Sequence, residues 1–137
     1  MTTLPHAPFA IGIGCASGVL YDDVQELLAR AFKRLDWAEL PDGLVLATLD
    51  SKLEEEALID AAAILYLPLV GFSDAILRGI GTPTPSAGPE HGRPAVAEAA
   101  ALAACGAPGN AAARLILPRI QGLVCTCAIA CSGETAP

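Results

Sequence analysis

Near its beginning the sequence has a short apolar run that ends in glycines and leads into a helical pattern. The run covers residues 9–14, and apolar residues recur at helical spacing between 21 and 37. Residues 44–49 form a second apolar run. A strand, a crossover helix and another strand favour a parallel sheet, because parallel strands need a long connection between them. We therefore expect an α/β fold.

Strand and helix patterns continue to alternate along the rest of the chain. The later predicted elements are a helix at 54–65, a strand at 67–72, a short helix at 73–77, a helix at 94–105, and strands at 114–117 and 122–130. Ser17 or Asp22 can cap the first helix, and Asp50 or Ser51 the second. Only a turn at 118–121 separates the last two strands, so they should pair as an antiparallel hairpin. The pattern predicts a three-layer αβα single domain with a mainly parallel central sheet and a C-terminal hairpin.

The length and charge of the chain limit its class. A chain of 137 residues fits one domain over 1–137, with an ordered core at about 9–131, because it can bury about two thirds of its unfolded surface. Its 15 acidic and 8 basic residues give a net charge of -7, which disfavours nucleic acid as a partner. Charged residues and proline interrupt the longest apolar stretches. We therefore expect no membrane span and a cytoplasmic protein.

The cysteines are the residues that could form a metal site. Their number, five, is odd and favours reduced thiols over a disulfide framework. Cys125, Cys127 and Cys131 form a C-x-C-x3-C pattern, and strand alternation places the first two on one face as a candidate soft-metal site. A tetrahedral site needs a fourth ligand, and Cys105 is the only other downstream thiol. We expect buried core thiols and no bound metal.

Residues 12–18, Gly-Ile-Gly-Cys-Ala-Ser-Gly, are predicted to form a loop between the first strand and the first helix. Glycines allow a tight turn there, and free amides at a helix start can bind an anion. The candidate ligand-binding residues of this loop are Gly12, Gly14, Cys15, Ser17 and Gly18. A dinucleotide fingerprint is disfavoured, because the acid that ends the second strand, Asp50, lies well beyond the expected offset of about 20 residues. We expect no cofactor, and a turn that only packs helix on strand remains open.

Cys15 and Asp50 are the candidate catalytic residues. Cys15 falls near the predicted start of the first helix, which would lower the pKa of its thiol, although neither His6 nor His91 is placed beside it as a base. Asp50 ends the second strand, close to Lys52, where open α/β sheets bind ligands. The plainer alternatives are a buried cysteine, an aspartate that caps a helix, and a solvated lysine.

A long segment rich in glycine, proline, threonine and serine covers residues 79–94. Loops of about 15 residues without their own secondary structure are usually functional or mobile. The hydroxyls of Thr82 and Ser86 and the cation of Arg93 complete the candidate ligand-binding set. Together with the glycine loop, Asp50 and Lys52, they are expected to meet at the carboxyl edge of the sheet.

Several of these segments, in this order, carry a family resemblance. They are Gly12-Ile13-Gly14-Cys15, residues 47–52 with Glu55, Leu67-Pro68-Leu69 with Phe72-Ser73, Thr82-Pro83-Thr84-Pro85-Ser86, and residues 92–102 and 126–130. From about residue 9 to 130 the chain resembles the cobalamin biosynthesis proteins CobE and the C-terminal domain of CbiG. The resemblance implies an α/β domain that acts in construction of the corrin ring, and it does not supply a reaction. After residue 15 this chain has Ala-Ser-Gly-Val where the family commonly has an arginine and a Gly-Thr pair, so the anion contact of that arginine is absent.

Three functional interpretations follow. The favoured one is a protein of cobalamin biosynthesis that binds or handles a precorrin intermediate as an accessory or carrier, because a carboxylated macrocycle needs an apolar wall and local donors. The alternative is an enzyme of the same pathway, a hydrolase that acts on a corrinoid lactone through Cys15 or Asp50. The third interpretation, a nucleotide-binding module, is supported only by the glycine loop. A corrinoid small molecule is the expected partner, and other enzymes of the pathway are further candidates.

Overall fold

The first apolar run of the sequence forms the middle strand of a five-stranded sheet. A computed structural model describes residues 6–83 and 95–133 of the chain. The strands are β1 (Phe9–Cys15), β2 (Leu44–Leu49), β3 (Leu69–Phe72), β4 (Arg114–Gln121) and β5 (Cys125–Cys131). The helices are α1 (Tyr21–Arg34), α2 (Glu56–Leu65), α3 (Asp74–Arg78) and α4 (Val96–Ala104), with a 3-10 helix at Asp50–Lys52.

The strand order across the sheet is β3-β2-β1-β5-β4. β1 and β2 pair in parallel, as do β2 and β3, whereas β5 pairs antiparallel with both β1 and β4. The helices α1 and α2 supply the long connections that parallel pairing requires. These pairings confirm the predicted α/β fold, with parallel strands at its centre and a C-terminal hairpin.

Helices cover both faces of the sheet. On one face, Leu27 of α1 and Leu58 of α2 are buried in one cluster with Ile11 of β1. On the other face, Ala10 of β1 is buried in a cluster with α4, of which residues 97–104 are all buried. Alternation of side chains along β1 produces this division, since successive side chains of a strand point to opposite faces. The predicted three-layer αβα arrangement is confirmed.

The helix α4 approaches β1 closely because the strand carries a glycine beneath it. A Cβ atom at Gly12 would lie 1.8 Å from the carbonyl oxygen of Ala97. Gly12 is therefore required by the contact between β1 and α4. An alanine-rich helix suits this contact, because short side chains allow two backbones to approach each other.

The helix α1 is amphipathic. It has 14 residues and buries Val24, Leu27, Leu28 and Ala31, which recur at helical spacing on one side. In the portions of the chain that the structure describes, no helix combines the length and the apolar character that crossing a bilayer requires.

The C-terminal hairpin differs from its prediction in the position of the turn. β4 continues to Gln121 and β5 begins at Cys125, so the turn predicted at 118–121 is wrong and the connection is residues 122–124. Pro118 lies inside β4. Proline is tolerated there because β4 is an edge strand and its register with β5 shifts at this point.

The helix caps predicted from the sequence are wrong for all four residues proposed, which are Ser17, Asp22, Asp50 and Ser51. The residue before α1 is Leu20 and the residue before α2 is Glu55, and neither helix has a side-chain cap. The loop after β1 runs on past Ser17, and a 3-10 helix intervenes between β2 and α2. Both helices therefore begin later than the sequence pattern indicates.

Candidate functional site

The loop that follows β1 is held by residues that follow β2. Nζ of Lys52 donates to Oγ of Ser17 at 3.0 Å, and the amide of Gly18 donates to Oε1 of Glu55 at 3.0 Å. Both contacts join the carboxyl ends of two adjacent parallel strands, where this class of sheet usually binds ligands. The structure thus brings Ser17, Gly18 and Lys52 together.

The same loop also contacts the hairpin turn. The amide of Ala16 donates to the carbonyl oxygen of Val124 at 3.2 Å, and Cys15 is the register partner of Cys125 across β1 and β5. The start of α4 is close as well, because a Cβ atom at Gly14 would lie 3.4 Å from Cβ of Val96. The ends of β1 and β2, the hairpin turn and the start of α4 therefore lie at one edge of the sheet.

An open cleft of about 370 Å³, here called the carboxyl-edge cleft, lies at this edge. Its lining consists of Gly14, Cys15, Ala95, Val96, Arg119, Gln121, Leu123, Val124, Cys125 and Thr126. Leu123 is 90% exposed and Val124 is 43% exposed, so the wall presents aliphatic surface to solvent. Arg119 contributes a cation and Thr126 a hydroxyl. An apolar wall with a few polar groups is the composition typical of a small-molecule site.

Two glycines predicted to lie in a ligand-binding loop are inside β1 instead, because the strand continues to Cys15. Gly12 is covered by α4, whereas Gly14 lines the carboxyl-edge cleft. Gly18 has a φ of 79° and open space around it. Gly18 is thus the glycine that the backbone turn itself requires, since a left-handed φ favours glycine.

Cys15 does not have the environment of an activated nucleophile. Burial raises the pKa of its thiol above the ordinary value, and this effect exceeds the opposing effect of the Lys52 cation, while the Glu55 carboxylate raises the pKa further. The predicted lowering of the pKa is therefore wrong. The physical reason is the burial of the thiol, which disfavours its charged form and is the largest effect on its pKa.

The remaining predicted site residues fall in different places. Thr82 contacts a residue of the cleft lining, since its Oγ1 accepts from the amide of Ala95 at 3.3 Å. Asp50 is exposed in the 3-10 helix. Neither Asp50 nor the cluster of Ser17, Gly18 and Lys52 lines the cleft. Three residues considered in the sequence lie outside the described residues, namely Ser86, His91 and Arg93. The assignment of Ser86 and Arg93 to a ligand site stays a prediction.

The C-terminal cysteines are packed in the core of the sheet. Cys125, Cys127 and Cys131 are all buried in the cluster under α1 and α2, while Cys105 is buried on the opposite face with α4. Burial raises the pKa of Cys127 and of Cys105 to about 12 and that of Cys125 to about 11. Among the described residues, 6–83 and 95–133, no group of three or more His, Cys, Asp or Glu side chains could hold a metal ion. The expectation of a protein without metal stays a prediction.

Two residues are absent from the set predicted to form the site: Arg119, which lines the cleft, and Glu98, which contacts the backbone of Arg119. Glu98 lies in the first turn of α4 and is 0% exposed. One of its carboxylate oxygens, Oε2, accepts a hydrogen bond from the amide of Arg119 at 2.9 Å. A single carboxylate in an otherwise alanine-rich helix is the sequence signal that could have marked this position, because acidic residues are rarely fully buried.

A second apolar groove, the α1–α2 groove, has a volume of about 210 Å³. Its lining has no charged side chain and consists of Tyr21, Gln25, Leu28, Ala29, Phe32, Ala61 and Leu65. None of the residues predicted to bind a ligand lines it. The groove therefore lacks the cation that distinguishes the carboxyl-edge cleft.

Comparisons with known proteins agree with this architecture. The family model described as the C-terminus of cobalamin synthesis protein G matches residues 9–130. The chain is similar to CobE, a protein from the cobalamin (vitamin B12) biosynthetic pathway, with 27% identity, a TM-score of 0.73, and coverage of 95% of this chain and 97% of that one. It is also similar to the cobalamin biosynthesis protein chiG from Agrobacterium tumefaciens, with 33% identity, a TM-score of 0.64, and coverage of 90% and 98%.

A cobalamin biosynthesis protein G homolog from Sulfolobus solfataricus shares the fold. It is 20% identical, with a TM-score of 0.65, and the match covers 92% of this chain but 37% of that one. The fold therefore also occurs as one part of a longer chain. No curated protein matches the sequence.

Proposed function

Since this chain belongs to the cobalamin synthesis G C-terminus family and is thereby a protein of cobalamin biosynthesis, we propose that it binds a precorrin intermediate as an accessory or carrier. The observation that carries the proposal is the carboxyl-edge cleft, which joins aliphatic surface to a cation and a hydroxyl. Corrin precursors are broad apolar macrocycles with several carboxylate side chains. One edge of such a macrocycle fits against Val96 and Leu123, with a carboxylate directed to Arg119.

Binding without chemistry is favoured over the hydrolase alternative by the surroundings of the two candidate nucleophiles. Burial keeps the thiol of Cys15 protonated, because it raises the pKa. His6 lies against Gly106, just beyond the end of α4, whereas the cleft is at the start of that helix. His6 is therefore not a base for Cys15, and Asp50 lies outside the cleft lining.

A nucleotide-binding module is disfavoured by Glu55. In phosphate-binding loops the backbone amides point at the ligand oxygens. Here the amide of Gly18 donates to the carboxylate of Glu55 at 3.0 Å. A phosphate at the same place would displace this contact and meet a negative charge, so a nucleotide is not the ligand that this loop suits.

The experiment that tests the proposal is a titration of the purified protein with each available corrin-ring intermediate. Absorbance reports binding, and the mass of the recovered compound reports chemistry. We expect a shift in the absorbance spectrum with no change of mass. A change of mass would support the hydrolase alternative, and the absence of any shift with all intermediates would contradict both interpretations.

A matched pair of variants locates the binding surface. Leu123→Asp places a carboxylate on the wall of the carboxyl-edge cleft, and Ile64→Asp places one on α2, where Ile64 is 59% exposed. We expect Leu123→Asp to lower the affinity about tenfold or more, equivalent to about 1.4 kcal/mol, because it removes apolar contact and repels the carboxylates of the ligand. Ile64→Asp should leave the affinity unchanged. Equal affinities of the two variants would exclude this cleft.

A further inference from the structure

A β-bulge displaces one residue of the edge strand beside the carboxyl-edge cleft. β4 and β5 pair as Leu117 with Ile129 and Ile120 with Cys127. Two residues of β4, Pro118 and Arg119, therefore face a single residue of β5. Bulges of this kind redirect a side chain and leave a backbone group outside the ladder. Proline has no N–H to lose, so the amide that needs another acceptor is that of Arg119.

Glu98 supplies that acceptor from α4, in the helical layer that packs on the sheet. Its Oε2 accepts the hydrogen bond of the Arg119 amide at 2.9 Å, and its side chain is fully buried. A buried carboxylate is costly unless hydrogen bonds satisfy it. The first turn of α4 also favours a negative charge, because the positive end of the helix dipole lies there. The carboxylate therefore ties the bulge of β4 to the start of α4.

The side chain of Arg119 contributes to the lining of the cleft between these two elements. In the described part of the chain, the arginines that form ion pairs are Arg30 and Arg78, and Arg119 has no carboxylate partner within ion-pair distance. Its guanidinium is a planar fork that matches the two oxygens of a carboxylate. The cleft lining joins this cation to the apolar side chains of Val96 and Leu123, a combination that suits a carboxylated macrocycle.

We propose that Arg119 binds a carboxylate side chain of the ligand and that Glu98 is its positioning residue, acting through the bulge at Pro118. The inference rests on the proposed function, which supplies a carboxylated macrocycle as the ligand. The Glu98 carboxylate accepts from the backbone amide of Arg119, and the guanidinium of Arg119 binds the ligand. The cleft then selects for a carboxylate attached to an apolar ring.

The test compares two probes that differ only in charge, a polycarboxylic corrin and its fully esterified form. We expect Arg119→Gln to lower the affinity for the acid about tenfold or more, as for one charge-assisted contact, and to leave the affinity for the ester unchanged. Arg119→Lys should retain part of the affinity for the acid, because lysine keeps the charge and loses the fork. An Arg119→Gln variant that binds the acid as well as the wild type overturns the proposal.

The role of Glu98 is tested by its coupling to Arg119. Glu98→Gln keeps an acceptor for the amide and should retain the affinity for the acid. Glu98→Leu removes the acceptor and should lower the affinity to that of Arg119→Gln, with no further loss in the double variant. Losses that add in the double variant would show a merely structural role. Thermal unfolding shows whether each variant folds. If Glu98→Leu does not fold, the test rests on Glu98→Gln. A loss of affinity in Glu98→Gln as large as that of Arg119→Gln would then overturn the positioning role.

The two probes also distinguish a failure of the proposed function from a failure of the Arg119 assignment. Binding of both the acid and the ester to the wild type, with no effect of Arg119→Gln on either, would leave the proposed function standing and remove Arg119 as the anchor. If neither probe binds the wild type, the proposed function fails, and the assignment of Arg119 fails with it.

Discussion

Nζ of Lys52 lies 3.0 Å from Oγ of Ser17, so the cation that follows β2 holds the loop that follows β1. The two residues are 35 positions apart in the sequence and meet because parallel neighbouring strands end at the same edge of a sheet. The charge of Lys52 also reaches Cys15, whose thiol pKa it lowers against the larger effect of burial. Cys15 lines the carboxyl-edge cleft, so Lys52 adds positive potential there, which the carboxylate of Glu55 partly offsets.

Lys52→Ala should therefore weaken the binding of a polycarboxylic corrin, by less than about tenfold, because Lys52 does not line the cleft and acts on the ligand only through its charge. Added salt should weaken binding to the wild type, since it screens the attraction between partly exposed charges. Absorbance titrations at several salt concentrations measure both effects. The matched control is Lys33→Ala, because Lys33 is exposed near the end of α1. An affinity of the wild type that does not change with salt, together with equal affinities of Lys52→Ala and Lys33→Ala, would contradict an electrostatic contribution from the carboxyl edge of the sheet.

The titration of Cys15 should respond to its two charged neighbours with opposite signs. Lys52→Ala removes a cation that stabilises the thiolate and should raise the pKa of the Cys15 thiol. Glu55→Gln removes an anion and should lower the pKa, while an amide oxygen remains to accept from Gly18. The pH dependence of the alkylation rate measures both shifts, with Cys15→Ser as the control for the other thiols. Shifts of the same sign in both variants would rule out this arrangement of charges.

Gly12→Ala should strongly destabilise the protein. A Cβ atom at this position would lie 1.8 Å from a backbone oxygen of α4, so the helix must move. We expect a loss of about 3 kcal/mol or more in the free energy of unfolding, as for severe overpacking. Urea denaturation measures it. The matched control is Gly81→Ala, where a Cβ atom meets open space and the change should be less than about 1 kcal/mol. Similar effects at both positions would disprove the close contact of β1 with α4.

The parallel centre of the fold and the meeting of Ser17 with Lys52 could be predicted from the sequence. Both follow from the order of apolar runs and helical patterns, because a strand, a helix and a strand form a right-handed crossover with a common carboxyl edge. The ends of the helices and strands were harder to predict from the sequence. Glycine usually interrupts a strand, yet Gly14 lies within β1 because it pairs with Thr126 of β5.

The contact between Glu98 and Arg119 could not be predicted from local pattern. It depends on the bulge that follows Leu117 in β4, which the sequence indicates only through Pro118. It also depends on how closely α4 approaches the sheet. Both are tertiary features, and the nearest sequence signal is one acidic residue in an alanine-rich helix.

The buried thiols should make the stability of the protein fall at high pH. Burial raises the pKa of Cys127 and Cys105 to about 12 from an ordinary value of 9.0. The folded state therefore keeps these protons more tightly than the unfolded chain, so their contribution is complete below pH 9.0 and is lost as the pH rises towards about 12. Each thiol adds at most about 1.4 kcal/mol per pH unit to the slope.

Urea denaturation at a series of pH values measures this dependence. Cys127→Ala should lower stability below pH 9.0, because it leaves a cavity, and should make the decline above pH 9.0 shallower, so that the difference from the wild type shrinks as the pH rises. Cys15→Ala, at a half-buried position, serves as the control and should change the slope less. A slope that Cys127→Ala leaves unchanged would contradict the assigned protonation.

The most direct test of the account is the footprint of a polycarboxylic corrin on the protein, measured by amide hydrogen exchange with and without the ligand. Because the ligand is placed in the carboxyl-edge cleft, exchange should slow in the loop at residues 16–20 and in the hairpin turn at 122–124. Exchange in α2 should stay unchanged. Protection confined to the α1–α2 groove, around Phe32 and Leu65, would contradict the account and move the binding surface to the other face of the sheet.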